Sequence, residues 1–484
     1  MKLFSSSWFT NKTKTTGKSP SSRGEIDGIK HQIKRSNSTK NWRRWFGYDP
    51  DPSDLIGEYV ASKIAEEIAP SVFENSGLST GAELSPKVEL ILDEKMRELK
   101  LASKYLNDGQ PNFVGCTLDE VWKGSLSDGQ KVEGHCVIYP ESGQRTLPKD
   151  LDRAIKCGEE ITTKMGREEV KLTLEKNQIF QALKLSFLLG DHDVNPGNIY
   201  VIYDKTSKKS QICRIDYGHA FGDLIKKWGR GRDHSPNISE GRGCVLDALN
   251  REKINGGKSK LSRDYRNLIP DHEFAAILRK EIDENSLSSS ITHCRKELSE
   301  FYSHQGNKLG GLKNKITKCF STLCSKMGFG KERGIDIALQ RTETYVKKNA
   351  EEMKSIANLV DIQAYVKDAA NSKISPMDAL KKIDSLYKAD SLYLQDKSFH
   401  DEIEWVKTDQ DKKPAKCSLF EYIQQKIQTA PSQEYKANLE NLAKAIAAIQ
   451  PHQKKEVLGK FTSKESTKHK IVSSSAFALH SSQS

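Results

Sequence analysis

Residues 1 to about 45 show no hydrophobic period and are rich in Ser, Thr, Lys and Arg. That pattern predicts a basic disordered N-terminus over 1–50. Apolar positions then begin to recur. Leu55, Val60, Ile64 and Ile68 stand at helical spacing, as do Val88, Ile91, Leu92, Met96 and Leu99, so 52–110 reads as helical. Thr117 to Leu126 reads as a strand, Ser127-Asp128-Gly129-Gln130 as a turn and Lys131 to Tyr139 as the return strand. An Asp-Gly pair between two strand-like runs favours a hairpin. From about 167, Val170, Leu172, Leu174, Ile179, Phe180, Leu183 and Phe187 fall mostly on one helical face. Two short apolar strands follow, Ile199 to Tyr203 and Gln211 to Asp216, separated by the polar turn from Lys205 to Ser210. The block 335–461 reads as helical, with Leu439, Leu442, Ile446 and Ile449 as an apolar stripe in its last helix. The tail, 462–484, again lacks a pattern and is expected to be disordered.

The chain has 484 residues, of which 36 % are hydrophobic, and its mean hydropathy is −0.66. That is low for one compact globule and leaves room for two or three domains of roughly 100–200 residues each beside solvated tails. No apolar run approaches the roughly 20 residues that a membrane span requires. Met1 to Phe9 is too short and polar for a signal-peptide core. The nine cysteines form no CxxC pair and no zinc-like spacing, and read as reduced thiols. A formal charge of +12 favours anionic partners.

Two stretches carry chemistry: Asp193-Val194-Asn195-Pro196-Gly197-Asn198 and, one predicted hairpin later, Asp216-Tyr217-Gly218. Moving a phosphoryl group from a nucleoside triphosphate needs a divalent cation on its oxygens, and hard cations take oxygen ligands. A separate carboxylate must orient the attacking hydroxyl and accept its proton. A tight loop can present such a carboxylate and an amide oxygen to one ligand from two sides. A second Asp then arrives after the hairpin, ahead of a Gly that permits a sharp turn.

Here the sequence resembles the protein-kinase-like superfamily. The loop is similar to the D-x-x-P-x-N form of protein kinases and the D-x-H-P-G-N form of small-molecule phosphotransferases. Ile215-Asp216-Tyr217-Gly218-His219 is similar to the I-D-F-G-H of phosphatidylinositol kinases. The resemblance implies Asp193 as catalytic base and Asn198 and Asp216 as ligands of Mg²⁺ or Mn²⁺ bound with ATP. Asp191 offers a competing register for the base, but its spacing to Asn198 is too long and to Asn195 too short. Asn195 sits where Ser/Thr protein kinases usually carry Lys.

The rest of the kinase pattern is thinner. No G-x-G-x-x-G precedes the catalytic loop. Val121 to Val132 resembles the second and third kinase strands, and in that register His135 takes the place of the strand Lys. Ala154-Ile155-Lys156, followed by Glu159 and Glu160, supplies the alternative, and Lys156 is the expected ATP-phosphate contact. No A-P-E closes an activation segment. A basic, glycine-rich stretch stands there instead, with Lys226, Lys227, Arg230, Arg232, Arg242, Lys253, Lys258 and Arg263 as an expected polyphosphate site. Its ligand would be an inositol polyphosphate activator, a phosphoinositide headgroup or an acidic protein.

The expected fold is α+β, an abbreviated two-lobed protein-kinase-like domain over 51–334 followed by a mainly α-helical C-terminal domain over 335–461. The architecture resembles the divergent effector kinases that intracellular bacteria such as Legionella inject into host cells. The resemblance implies type IV-like secretion into the host cytosol, with 462–484 as a secretion signal. It also implies targeting of anionic membranes, the vacuole surface among them, by 335–461. The expected activity is Ser/Thr protein phosphorylation of a host protein. A phosphoinositide kinase and a phosphoinositide-binding pseudokinase are the alternatives, and nucleic acid is set aside as a partner.

Overall fold

The computed structural model describes residues 3–4, 10–14, 21–26, 28–35, 53–73, 77–79, 81–93, 98–125, 131–133, 136–138, 145–146, 155, 158–165, 168–191, 193–194, 196–218, 220–221, 265, 268, 271–308, 331–390, 392–395, 397–401, 403–408 and 414–448. The chain is mixed α and β and folds as two compact units, residues 1–360 and 361–484.

The first unit opens with a six-stranded sheet in the order β1-β5-β6-β4-β3-β2. Its strands are β1 (Leu3–Phe4), β2 (Thr10–Lys14), β3 (Ser21–Ile26), β4 (Ile29–Arg35), β5 (Val88–Asp93) and β6 (Glu98–Lys104). β3 and β4 are antiparallel, with Ile26 opposite Ile29. The two-residue connection between them ends at Gly28 in the left-handed region, at φ +77°, which glycine adopts without a Cβ penalty. Ile26, Ile33, Ile91 and Ala102 share one buried cluster. Strands therefore occupy part of 1–50, where disorder was expected. The apolar side chains of β3 and β4 are few, and the sheet is completed by residues far downstream, such as Ala102 opposite Ile33. Likewise 88–93 and 98–104 are paired strands rather than helix, because Val88, Leu90 and Ile91 fill the core of a sheet.

Helix α1 (Ser53–Val72) is buried on nearly every face, from Leu55 and Ile56 to Ala69 and Val72. The stripe of Lys63, Glu66, Glu67 and Pro70 is more open, and a helix with most of its surface apolar has neighbours on most sides. They are β5 and β6 on one side and two downstream helices, Lys176–Leu188 and Glu284–Lys308, on the others.

The lower part of this unit is built on the antiparallel sheet β14-β13-β7. β7 spans Phe113–Thr117, β13 Ile199–Asp204 and β14 Lys209–Arg214. The hairpin β13–β14 lies where the two apolar runs predict it, with Ile199 opposite Arg214. Helix α2 (Leu118–Ser125) follows β7, where a continuous strand was expected. The small strands β8 (Lys131–Glu133), β9 (Cys136–Ile138) and β10 (Arg145–Thr146) form a separate antiparallel sheet. The segment from 160 to 173 is a hairpin of β11 (Glu160–Met165) and β12 (Glu168–Thr173), so the helix expected from 167 begins only at α3 (Lys176–Leu188). Val170 and Leu172 are buried two apart, on one face of a strand.

Helix α3 packs on β14 and on α4 (His272–Arg279), where the Phe180 and Phe274 rings lie 4.9 Å apart. Helix α5 (Glu284–Lys308) buries Leu287, Ile291, Cys294 and Leu298, one stripe at helical spacing, and packs along α1. Helix α6 (Lys331–Ala370) carries the chain from the first unit into the second.

The second unit contains α7 (Pro376–Ala389), the hairpin β15 (Ile403–Thr408) and β16 (Pro414–Cys417), α8 (Leu419–Gln428) and a helix over 433–448. Ser375 caps α7, and Pro376 occupies its first turn, where a missing N–H costs nothing. Ser418 and Glu421 cap α8 reciprocally. Leu380, Ile383, Phe399, Leu419, Leu439, Leu442 and Ile446 are among the buried residues of this unit. Among the described residues no helix is long and apolar enough to cross a membrane.

Candidate active site

Successive side chains of a strand point to opposite faces. Ile33 enters the core of the first sheet, so Lys34 leaves it on the other side. Its Nζ donates to Glu58 Oε1 of α1 at 2.5 Å and to Asp216 Oδ1 at 2.7 Å. The Lys34 and Glu58 side chains are buried, and that of Asp216 is 38 % exposed. One ammonium thus serves two carboxylates from distant parts of the chain.

The charges answer this shortage. Burial alone would lower Lys34, but Asp216 and Glu58 outweigh it and hold the ammonium well above its ordinary value. Burial pushes Glu58 up to about 7 against the pull of Lys34. Burial would also raise Asp216, yet Lys34, Arg214 and the Gly218 N–H bring it down to about 2.

Asp216 itself adopts φ +60°, uncommon for a residue with a side chain. Its surroundings hold it there. Gly218 N donates to Asp216 Oδ1 at 3.2 Å, Tyr217 Oη to Arg214 O at 3.0 Å and Phe221 N to Leu189 O at 2.7 Å. Gly218 allows the close approach: a Cβ there would stand 3.2 Å from Asp216 Oδ1 and 3.3 Å from Glu58 Oε2.

The loop carrying Asp193 and Asn198 is set by the end of α3. Gly190, at φ +64°, breaks the helix. Gly190 N donates to Phe187 O and Asp191 N to Ser186 O, the pair of bonds that closes a helix through a left-handed residue. Asn349 of α6 donates to Leu188 O at 2.9 Å and satisfies another terminal carbonyl. The chain then runs through a single 3-10 turn, Pro196–Asn198, into β13. Asn198 Nδ2 donates to Asp193 O at 2.9 Å, which turns the amide oxygen the opposite way.

Asp191 has a different environment from Asp193. Its side chain is fully buried, pairs with Arg214 at 3.1 Å and accepts from Asp193 N at 2.8 Å. Asp193 is part exposed. A carboxylate sealed against a guanidinium holds backbone; one open to solvent can meet a substrate.

Asp193, Asn198 and Asp216 are thus brought into one bonded assembly through Arg214, which reaches Asp193 O and Asn198 O, and through Ile215 N, which donates to Asn198 O at 3.0 Å. Among the described residues no group of three or more His, Cys, Asp and Glu surrounds a cation site. Asp216 with the Asn198 amide oxygen nevertheless fits Mg²⁺ or Mn²⁺, which binds through one or two side chains and completes its shell with phosphate oxygens and water. Both side-chain contacts of Asp216, from Lys34 and Gly218 N, fall on Oδ1.

Lys156 and His135 lie outside the described residues, as do Lys226, Lys227, Arg230, Arg232, Arg242, Lys253, Lys258 and Arg263. The lysine that the structure brings to Asp216 is Lys34, and its carboxylate partner is Glu58. Two signals for Lys34 exist in the sequence. Asp27-Gly28 is a hairpin pair like Asp128-Gly129, and Ile33-Lys34 is an apolar–Lys step on the strand that follows it.

The first unit also holds a cavity of about 480 Å³ lined by Lys30, the connecting segment from Tyr105 to Pro111, Phe113, Gly115 and Tyr200. The Tyr200 ring crosses over Gly115, so closely that a Cβ there would lie 2.5 Å from it.

The family model of the LepB N-terminal domain matches residues 168–308. That span holds Asp193, Asn198 and Asp216 and leaves out Lys34 and Glu58. No curated protein matches the chain. Among solved structures, the crystal structure of a Helicobacter pylori proinflammatory kinase, CtkA, is similar over 73 % of this chain and 97 % of its own. The identity is 12 % and the TM-score 0.29, a likeness too slight to fix the fold.

Proposed function

We propose that this chain is an ATP-dependent phosphotransferase with a protein-kinase-like active site. The observation that carries the reading is Lys34 Nζ bridging Glu58 Oε1 and Asp216 Oδ1. A strand lysine, held by a helix glutamate and set beside a metal-binding aspartate, is the arrangement that grips nucleotide phosphates in kinases. Asp193, Asn198 and the cavity complete the site. Asp193 accepts the proton of the attacking hydroxyl. Asn198 and Asp216 hold the cation, which when bound neutralises charge on the triphosphate. The cavity beside Tyr105 and Tyr200 is of a size suited to a small ligand and takes the nucleoside base. Preorganised charge of this kind supplies most of the rate in phosphoryl transfer.

The acceptor is read as a Ser or Thr hydroxyl of a host protein. The similarity of Ile215-Asp216-Tyr217-Gly218-His219 to lipid-kinase sequences, with Asn195 in place of Lys, favours a phosphoinositide as the second reading. Activation by an inositol polyphosphate at Lys226 to Arg263, delivery into a host cell and contact of 335–461 with an anionic membrane extend the proposal. Calorimetry with inositol hexakisphosphate at low salt, and vesicle pelleting of the chain with and without 335–484, test the first and last of these.

Radiolabelled ATP with Mg²⁺ or Mn²⁺, offered protein and lipid acceptors in parallel, tests the central reading. Label in protein supports the first acceptor and label in lipid the second. No label in either, or full turnover by Asp216→Ala, contradicts it.

A further inference from the structure

We propose that Arg214 is a positioning residue that fixes the separation between the loop bearing Asp193 and Asn198 and the segment bearing Asp216. The inference rests on the phosphotransferase reading above and assigns a role to a residue outside the kinase-like motifs.

Arg214 is the last residue of β14 and its side chain is fully buried. A guanidinium offers five N–H donors in a rigid plane, and here four of them find hydrogen-bond acceptors while the group also pairs with the Asp191 carboxylate. Nε donates to Ser186 Oγ at 2.9 Å. Nη1 donates to Asn198 O at 2.8 Å and to Ile215 O. Nη2 donates to Asp193 O at 3.1 Å and faces Asp191 Oδ2 at 3.1 Å. Two of the three carbonyls belong to residues assigned to the reaction, and the third belongs to the neighbour of Asp216.

The choice of partners matters more than their number. A buried charge is costly unless it is paired and hydrogen-bonded, so four hydrogen bonds and the Asp191 ion pair together explain how Arg214 is tolerated. They also mean that the guanidinium cannot shift without dragging the backbone of Asp193, Asn198 and Ile215 together. Asp191 closes the unit from the other side, since its Oδ1 accepts from Asp193 N at 2.8 Å while Oδ2 meets Arg214. Base and cation ligands are thereby registered through one rigid fork. Lysine cannot substitute, because a compact ammonium with three donors lacks both the plane and the reach.

The test uses the full chain with Arg214→Lys and, separately, Asp191→Asn, which retains an acceptor for Asp193 N but removes the charge. Three quantities are read: amide hydrogen exchange at Asp193 and Ile215 without nucleotide, the Mn²⁺ concentration that supports ATP binding, and kcat against KM for ATP. In Arg214→Lys both amides should exchange faster. The Mn²⁺ requirement should rise roughly 10–100-fold, as it does when groups behind metal ligands are altered. The kcat should fall about 100-fold, with metal-free ATP binding unchanged. Asp191→Asn should show the same pattern more weakly.

A folded Arg214→Lys protein with wild-type exchange and metal requirement overturns the inference alone. If that variant does not fold, a wild-type metal requirement in Asp191→Asn overturns it instead. A wild-type chain that neither binds Mn²⁺–ATP nor turns it over overturns the phosphotransferase reading, and this inference with it.

Discussion

Lys34 Nζ stands 2.7 Å from Asp216 Oδ1, although the two residues are 182 apart in the chain. Strand β4 of the first sheet and the segment after the hairpin β13–β14 therefore meet at one ammonium. Lys34→Met removes the only cation within hydrogen-bond reach of Glu58 among the described contacts and leaves two carboxylates facing each other. Turnover of ATP should fall by about 100-fold or more, the usual loss when a preorganised electrostatic group is deleted. Stability should fall by about 3 kcal/mol, the low end for breaking a buried pair, because Asp216 is 38 % open to solvent. Turnover assays and denaturant titration check both figures. Wild-type turnover in Lys34→Met is the outcome that contradicts the assignment.

Two glycines separate catalysis from nucleotide binding. A Cβ on Gly218 would press on Asp216 Oδ1 and Glu58 Oε2 at 3.2 and 3.3 Å. Gly218→Ala should therefore lower kcat roughly tenfold, with KM for ATP little changed, by displacing the Asp216 carboxylate. Gly115→Ala drives a methyl into the Tyr200 ring and reshapes the cavity wall. It should raise KM for ATP by about tenfold, the scale of one methyl group in a binding pocket, and leave kcat nearly intact. Steady-state kinetics of the two variants distinguish the effects. The same parameter moving in both would place the base somewhere other than this cavity.

The contrast between what was legible and what was hidden follows from the range of each signal. Asp193, Asn198 and Asp216 are readable as candidates because local loop and hairpin chemistry dictates their spacing, and the short apolar runs at Ile199–Tyr203 and Gln211–Asp216, split by a polar turn, announce β13 and β14. Lys34 is signalled only by the Asp27-Gly28 pair and the Ile33-Lys34 step, and Glu58 not at all. Lys34 sits in a strand whose only aliphatic residues are Ile29 and Ile33, and its burial is supplied by α1 and by Asp216, far away in sequence. Glu58 looks like one of several charged residues on a helix that also carries Asp54, Lys63, Glu66 and Glu67. Val88, Ile91 and Leu92 match a helical template by coincidence, since a short apolar run satisfies both periods, and only pairing with β6 decides for a strand.

Asp204 links the turn after β13 to the segment near Ser79. Its carboxylate accepts from Ser79 N at 2.7 Å, Thr206 N at 2.8 Å, Ser207 N at 3.3 Å and Ser207 Oγ at 2.9 Å. Burial alone would raise its pKa, but these donors outweigh it and hold the group well below its ordinary 3.8. A depressed folded-state pKa means stability that is present above the unfolded value and is lost as pH falls below it. Asp204→Ala should cost about 1–3 kcal/mol at neutral pH, the range for losing hydrogen bonds to a charged acceptor. It should also flatten the fall in thermal stability below about pH 3.8. Thermal melts of both proteins from pH 2 to 7 check this, and parallel acid curves would argue against it.

Helix α1 must hold Glu58 against Lys34 for the site to exist, and the physical support for that lies downstream. The stripe Leu287, Ile291, Cys294 and Leu298 of α5 is buried and α5 packs along α1. Lys63 and Glu67 of α1 are close enough to influence the Cys294 thiol, which burial pushes up to about 12. A helix clamped in this way arrives with its glutamate already placed. Ile291→Ala opens a cavity under α1 and should cost about 2–5 kcal/mol, whereas Ile291→Val should cost about 0.5–1.5. If α5 positions Glu58, amides of 53–72 exchange faster in Ile291→Ala, and turnover falls at temperatures where the chain is still folded. Ile291→Val should retain both protection and turnover. Loss of stability spread evenly over the first unit, with turnover per folded molecule unchanged, would show that α5 merely thickens the core and that the Lys34–Glu58 pair is secured by the sheet alone.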